Sequence, residues 1–205
     1  GSNNAALTDD NIAIGNDALL GASLSSTNAL KGNIAIGSQA LDATLSNAHT
    51  GTIAIGHEAL TACTTGLKNT AIGYQSGQAL TDDTGNTLTG YQSGQALTDS
   101  YNTAMGSEVL YTASGAGNNT AMGYQAMYYL TTGDYNVSYG SNTLLFNQTG
   151  ANNTCLGYAA GFGASNNSHS NNTLIGHEAG KVITTGGNNT IIGSNAADAL
   201  TSGAS

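Results

Sequence analysis

Apolar residues return along this chain at fixed offsets from a recurring glycine. The glycines are Gly15, Gly37, Gly56, Gly73, Gly90, Gly106, Gly123, Gly140, Gly157, Gly176 and Gly193. Most are 17 residues apart; the other spacings are 22 and 19 at the start, one 16 in the middle and one 19 near the end. The residue before the glycine is Ile14, Ile36, Ile55, Ile72, Met105, Met122, Leu156, Ile175 or Ile192, with Thr89 and Tyr139 as departures. Two before, it is mostly Ala, with Leu88, Leu174 and Ile191 among the others. Three before, it is Ile12, Ile34, Ile53 or Val137, and Thr in the other seven units. Four before, it is Asn in ten units, from Asn11 to Asn189, with Thr52 as the exception. A short run of this kind ending in Gly predicts a strand. The unit is clearest at Asn69–Leu80, which Asn86–Leu97 repeats almost letter for letter.

In a strand, offsets −3 and −1 share one face. The large apolar residues at −1 predict that this is the core face. The opposite face is largely apolar too, so both faces are expected to be covered. One layer would come from the chain itself and the other from a partner subunit. The row Thr70, Thr87, Thr103, Thr120, Thr154, Thr173 and Thr190 shares offset −3. It is expected to point inward, its hydroxyls satisfied by neighbouring rungs or backbone.

After the glycine the period changes. Offset +3 is usually Ala, +4 is Leu, Met, Ala or Gly, and +7 is often apolar, as at Leu80, Leu97, Leu130 and Leu200. Spacings of three and four predict one or two helical turns, with Ser38, Ser107 and Ser194 as N-caps. Turn residues such as Thr132-Gly133-Asp134 follow. Stacked strands sit about 4.8 Å apart, whereas packed helices need about 8–10 Å. A curved stack, a tighter turn after the glycine, or interleaving with partner strands would each resolve the conflict. The glycine itself is expected to supply a positive φ or a close backbone approach. The Asn column is expected to bond amide to amide and to the turns.

The predicted fold is therefore mainly β: a stacked solenoid-like repeat of eleven units. Each unit holds a short strand, a short helical or tight turn and a Gly/Thr/Asn loop. Residues 1–205 read as a single repeat domain, a segment of a longer fibre, and the two-sided strands point to an intertwined homotrimer.

Composition narrows the partners. The 205 residues carry no Pro, 29 Gly, a net charge of −9, and Lys31, Lys68 and Lys181 as their only Lys or Arg residues. Binding to nucleic-acid phosphates needs clustered Lys or Arg, so nucleic acid and anionic membrane surfaces are not expected partners. No apolar run approaches the roughly 20 residues of a membrane helix, so membrane insertion is not expected either. Cys63 and Cys155 lie six repeats apart. At about 4.8 Å per rung that is about 29 Å, beyond the reach of a disulfide, so two free thiols are expected, with Cys155 buried.

The motif N-T-A-I-G-Y-Q at Asn69–Gln75, with T-T-G-x-x-N-T between units, resembles repeat regions of phage tail-fibre and tail-fibre-domain surface proteins. It is more loosely similar to the head repeats of trimeric autotransporter adhesins. The resemblance implies a homotrimeric fibre, on a virion or outside a cell, that reaches a cell surface. The period here is longer than the adhesin repeat. No chaperone or autoprotease region accompanies it, so no self-cleavage is implied.

Few side chains suggest chemistry. His57-Glu58 and His177-Glu178 share one register seven repeats apart, so they cannot meet within one stack. A ring of His57 about a trimer axis is the metal reading; solvent-facing polar residues is the plainer one. Asp82, Asp83 and Asp99 form a calcium candidate, set against a solvated turn. Tyr74, Tyr91, Tyr124 and Tyr158 follow the anchor glycine and are candidates for glycan stacking, set against packing between repeats. Asn-x-Ser/Thr sequons stand at Asn118, Asn136, Asn147, Asn152, Asn166, Asn171 and Asn188. An Asn-Asn-Thr repeat generates them by chance. No nucleophile elbow, Walker loop, H-E-x-x-H or C-x-x-C occurs, so catalysis and cofactors are not expected.

The leading expectation is a structural shaft segment of a surface-attachment appendage. Two alternatives stand beside it: an adhesin module that binds cell-surface glycan or a protein receptor, and an ice- or flat-surface-binding solenoid.

Overall fold

The computed structural model describes residues 8–20, 30–44, 48–164, 168–198 and 200–202. The chain is a β-solenoid, nearly all parallel β, that places one three-residue strand per unit in an eleven-stranded sheet. The strands run from Ile12–Ile14 and Ile34–Ile36 through Thr103–Met105 and Thr120–Met122 to Thr190–Ile192. Each pairs with its neighbours in parallel and with no slip: Thr103 faces Thr120, and Thr120 faces Val137. A second, shorter sheet joins Thr8–Asp9, Leu30–Lys31 and His49–Thr50 in the first three coils. The longest insertions of the early units fall on residues outside those described.

The burial of the strands overturns the expected core face. The −2 residue points into the coil: Ala54, Ala71, Leu88, Ala104, Ala121, Cys155 and Leu174 are fully buried. Offsets −3 and −1 point out. Ile14 is 58% exposed and Ile192 68%, and Thr87, Thr120, Thr154 and Thr190 are exposed as well. The reason is steric. The coil interior is narrow, and the turn on its far side already fills it with Leu60, Leu80, Leu97, Leu110 and Leu130. A strand facing such a wall must contribute mostly small side chains.

Size is traded inside several coils to hold the interior at constant density. The coil of Ala71 and Gly77 is small at both positions, and Leu88 of the next strand reaches into it, 2.8 Å from a Cβ built on Gly77. Where the strand gives Ala54, Ala104 or Ala121, the +4 position gives Leu60, Leu110 or Met127, all buried. Where the strand gives Leu88 or Leu174, the +4 position is Gly94 or Gly180. A Cβ built on Gly94 would lie 3.1 Å from Leu88 Cδ1.

The predicted helical turn after the glycine does not form. One short 3-10 turn, Asp42–Thr44, is the only helical element among the described residues, so Ser38, Ser107 and Ser194 have no helix to cap. Offsets +2 and +4 instead take left-handed backbone, as at Glu58 (φ 56) and Leu60 (φ 52), or Glu108 (φ 57) and Leu110 (φ 51). The residues between them do not, and this alternation prevents continuous helix. It also frees backbone groups to bond the next coil: Leu110 N donates to Ala126 O at 3.1 Å and Gln125 N to Ser107 O at 3.0 Å. The turn therefore stacks at the spacing of the strands, which settles the geometric conflict in favour of a tight turn.

The anchor glycine meets both of its expected requirements. Gly106 has φ +134, and a Cβ there would lie 2.6 Å from Gly123 O. The Asn column forms as expected. Asn136 N donates to Asn119 Oδ1 at 2.8 Å, and Asn153 N to Asn136 Oδ1 at 3.0 Å. Most of the buried amides also donate to a turn carbonyl, as Asn136 Nδ2 does to Gly150 O at 2.9 Å. His49 and His169 occupy one register in two of the lengthened units. Both rings are fully buried; His49 Nε2 meets Thr64 O at 2.7 Å, and His169 Nε2 meets Gly161 O at 3.2 Å.

Candidate functional site

Two surfaces stand out: the outer face of the long sheet and the column of side chains one residue past the glycine. The outer face alternates a Thr/Ile row with an Ile/Met/Leu row. Ile12, Ile14, Ile72, Met105, Val137, Tyr139, Leu156 and Ile192 are all exposed there. Ten inter-strand steps at about 4.8 Å make the face about 48 Å long, and three residues at about 3.3 Å make it about 10 Å wide. Its backbone groups are satisfied by the parallel ladder, so what it offers is side chains alone.

The column at +1 runs Asn16, Ser38, His57, Tyr74, Tyr91, Ser107, Tyr124, Ser141, Tyr158, His177 and Ser194. Its rings stack along the axis. His57 and Tyr74 have centroids 5.4 Å apart at 13°, Tyr74 and Tyr91 5.5 Å at 10°, and Tyr158 and His177 5.2 Å at 22°. These are offset-stacked pairs. Tyr74, Tyr91, Tyr124 and Tyr158 are exposed, yet stacking turns edges rather than faces to solvent wherever a neighbour ring is present. A second aromatic row joins Tyr111 to Tyr128 at 4.8 Å and Tyr129 to Phe146 at 5.0 Å.

Beside the first column, the +2 carboxylates bond across rungs. Glu58 Oε2 accepts from Gln75 Nε2 and Gln78 Nε2, each at 2.7 Å. Glu108 Oε2 accepts from Gln125 Nε2 at 2.7 Å. Lys181 Nζ donates to Glu178 Oε1 at 2.8 Å and, with the nearby His177, holds that carboxyl below its ordinary range.

The other sequence candidates are placed less suggestively. Among the described residues no group of three or more His, Cys, Asp or Glu side chains could hold a metal ion. Asp82, Asp83 and Asp99 do lie close enough for burial and then the charges of Asp82 and Asp99 to push the Asp83 carboxyl up. The Asp83 carbonyl, however, is occupied by Asn69 Nδ2 at 2.7 Å. Of the sequons, Asn118, Asn152, Asn171 and Asn188 are exposed, Asn136 and Asn147 are buried in the amide ladder and turns, and Asn166 lies outside the described residues. Cys63 and Cys155 are free and buried. Burial pushes the Cys63 thiol up to about 11 and raises that of Cys155 as well. No described helix is long and apolar enough to cross a membrane.

Comparison with protein-family models, curated proteins and solved structures matches this chain to none of them.

Proposed function

We propose that this chain is a shaft segment of a surface-attachment fibre, in which three copies pack about a common axis through the outer faces of their long sheets. The observation that carries the reading is the exposed Ile/Met/Leu row along eleven strands. The whole face, its Thr row included, covers roughly 500 Å² per copy, and its apolar part lies within the range that monomers expose at functional patches. Three copies together would bury about 1,500 Å², about 500 Å² at each of three contacts, so each contact alone falls below the roughly 1,000 Å² of a specific interface and only the closed ring of three exceeds it. The in-register ladder supports the same geometry, because identical rows from three chains can meet at one height along the axis. The resemblance to tail-fibre repeats agrees with a virion or extracellular setting. The test is sedimentation equilibrium at micromolar concentration. A species of three times 20.4 kDa is expected; a folded monomer across the whole range would overturn the assembly.

The outward Thr row favours one second reading, recognition of a flat ordered surface such as ice. An inward Thr row would argue against it, and the row does not point inward. Thermal hysteresis of a monomeric preparation would support this reading; a trimer without hysteresis would remove it.

A further inference from the structure

The aromatic column past the glycine is interrupted, and the interruption has the shape of a binding site. Backbone bonds fix the register through the gap: Glu108 N donates to Tyr91 O at 2.8 Å, Gln125 N to Ser107 O at 3.0 Å and Asn142 N to Tyr124 O at 2.9 Å. Ser107 thus sits one rung above Tyr91 and one rung below Tyr124. The two tyrosines stand two rungs apart, about 9.6 Å at strand spacing, with only a hydroxymethyl between them. Among the described residues, Tyr91 stacks on Tyr74 alone and Tyr124 on no ring. The face of Tyr91 away from Tyr74 therefore has no ring against it, and the rung between Tyr91 and Tyr124 holds no aromatic side chain. A ring centred in it would lie about 4.8 Å from each, within the range of stacked pairs.

The chain itself shows what fits. Its three glutamates, Glu58, Glu108 and Glu178, all stand at offset +2. Beside two of them the +1 residue is an imidazole, His57 or His177, stacked on Tyr74 or Tyr158. At the first, His57 Nδ1 lies 3.8 Å from Glu58 Oε1 while Glu58 Oε2 holds two glutamine amides. At Glu108 the same Oε2 holds Gln125, and the +1 residue is Ser107, too short to fill the rung. The carboxylate is present without the flat nitrogenous group it faces elsewhere.

We propose that Tyr91, Ser107, Glu108 and Tyr124 form a slot for the guanidinium of an arginine on a basic partner protein. The guanidinium is planar, stacks on aromatic faces and pairs with a carboxylate through two N–H groups. The chain has a net charge of −9 and no arginine, so the group must come from outside and is drawn by the overall field. The neighbouring gap at Ser141, between Tyr124 and Tyr158, has neutral Asn142 in place of the glutamate and serves as an internal control. The site rests on the aromatic column and not on the sheet face, so its test does not depend on the assembly proposed above.

The experiment titrates the intact protein with a capped Gly-Arg-Gly peptide and follows the Tyr91 and Tyr124 ring resonances. Lysine and citrulline versions of the peptide are titrated in parallel. The arginine peptide should shift both rings and saturate. Ser107→His, which fills the slot as His57 fills its own rung, and Glu108→Gln should each weaken binding about tenfold, the loss of one charge-assisted contact. Ser141→His should leave it unchanged. The proposal is overturned if the lysine peptide binds equally, which means charge alone, or if the citrulline peptide does, which means that Glu108 plays no part. It is equally overturned if Glu108→Gln leaves binding intact, a result readable even where Ser107→His does not fold.

Discussion

Leu88 and Gly94 share one cross-section of the coil, and the methyls of Leu88 fill space left by two glycines: a Cβ would lie 3.1 Å from Leu88 Cδ1 on Gly94 and 2.8 Å on Gly77 of the coil before. In neighbouring coils the same two positions hold Ala104 and Leu110, or Ala121 and Met127, with the bulk on the other side. Leu88→Ala should therefore cost about 2–5 kcal/mol through the cavity it leaves. Gly94→Leu should cost at least about 1–3 kcal/mol through overpacking. The double substitution recreates the arrangement of the two coils that follow. Gly94 already has φ +60, close to the φ 51 of Leu110, so the backbone accepts the exchange. Denaturant unfolding of both single variants and the double one should show recovery of part of the loss, the remainder being the space beside Gly77 that Leu88 also fills. Additive losses would mean that the two positions do not compensate each other.

Asn119 is the acceptor for two groups of the next coil. Asn136 N reaches its Oδ1 at 2.8 Å and Asn136 Nδ2 at 3.1 Å, while its own amide serves Gly117 O and Gly133 O at 3.1 and 3.0 Å. Asn119→Ala leaves several buried polar groups without partners, each worth about 1–3 kcal/mol. A loss of at least about 3 kcal/mol is expected, read as a shift in the urea midpoint. The same change at Asn189, which is only half-buried in the last coil, should cost clearly less.

Thr120 and Ala121 are adjacent and face opposite ways. Thr120→Lys should leave the monomer fold unchanged, because its side chain meets solvent, and should disperse the proposed trimer by bringing three like charges to one height. Ala121→Lys should prevent folding, because it places an unpaired charge in a filled interior. Circular dichroism and sedimentation separate the outcomes. A Thr120→Lys chain that fails to fold would reverse the assignment of the two faces.

Both buried imidazoles make stability depend on pH. Burial pushes His169 and His49 below their ordinary value of 6.5. Between the folded value and 6.5, the unfolded chain binds more protons than the folded one. Stability should therefore be complete above about pH 6.5 and fall as the pH drops below it. Melting temperature measured from about pH 7.5 to about pH 5 should decline, and His169→Gln should flatten that decline. A flat profile in the parent protein would show that neither ring resists protonation.

Much of this architecture is legible in the sequence because a stacked repeat writes its contacts at fixed intervals. The strand positions, the glycine requirement and the Asn ladder follow from the recurrence of Asn11 to Asn189 and Gly15 to Gly193. The direction of the strand faces does not follow. Ile72 and Met105 are larger and more apolar than Ala71 and Ala104, and in a sequence size reads as depth. In a coil barely two side chains across, depth instead goes to whatever fits against Leu60 and Leu110. The turn misleads for a related reason. Offsets of +4 and +7 are helical spacings, but here they are inward positions of a backbone that alternates handedness at Glu108 and Leu110, and periodicity alone does not reveal handedness. The slot at Ser107 is hidden because it is defined by a side chain that is missing from a column, visible only once the register of Tyr91, Ser107 and Tyr124 is known.

The slip-free pairing of every strand with the next has a consequence for how such a molecule changes over time. Each coil presents its successor with the same docking outline, so the length of the rod is countable, varying in whole units and not by residues. Excising the stretch from Gly73 to Thr89 would rejoin Ile72 to Gly90 and shorten the rod by a single step, with each remaining coil meeting a surface of familiar outline. The near-identity of Asn69–Leu80 and Asn86–Leu97 reads as the reverse event. Reach becomes a quantity that copying or dropping one module can adjust, while the chemistry along the sides is edited independently.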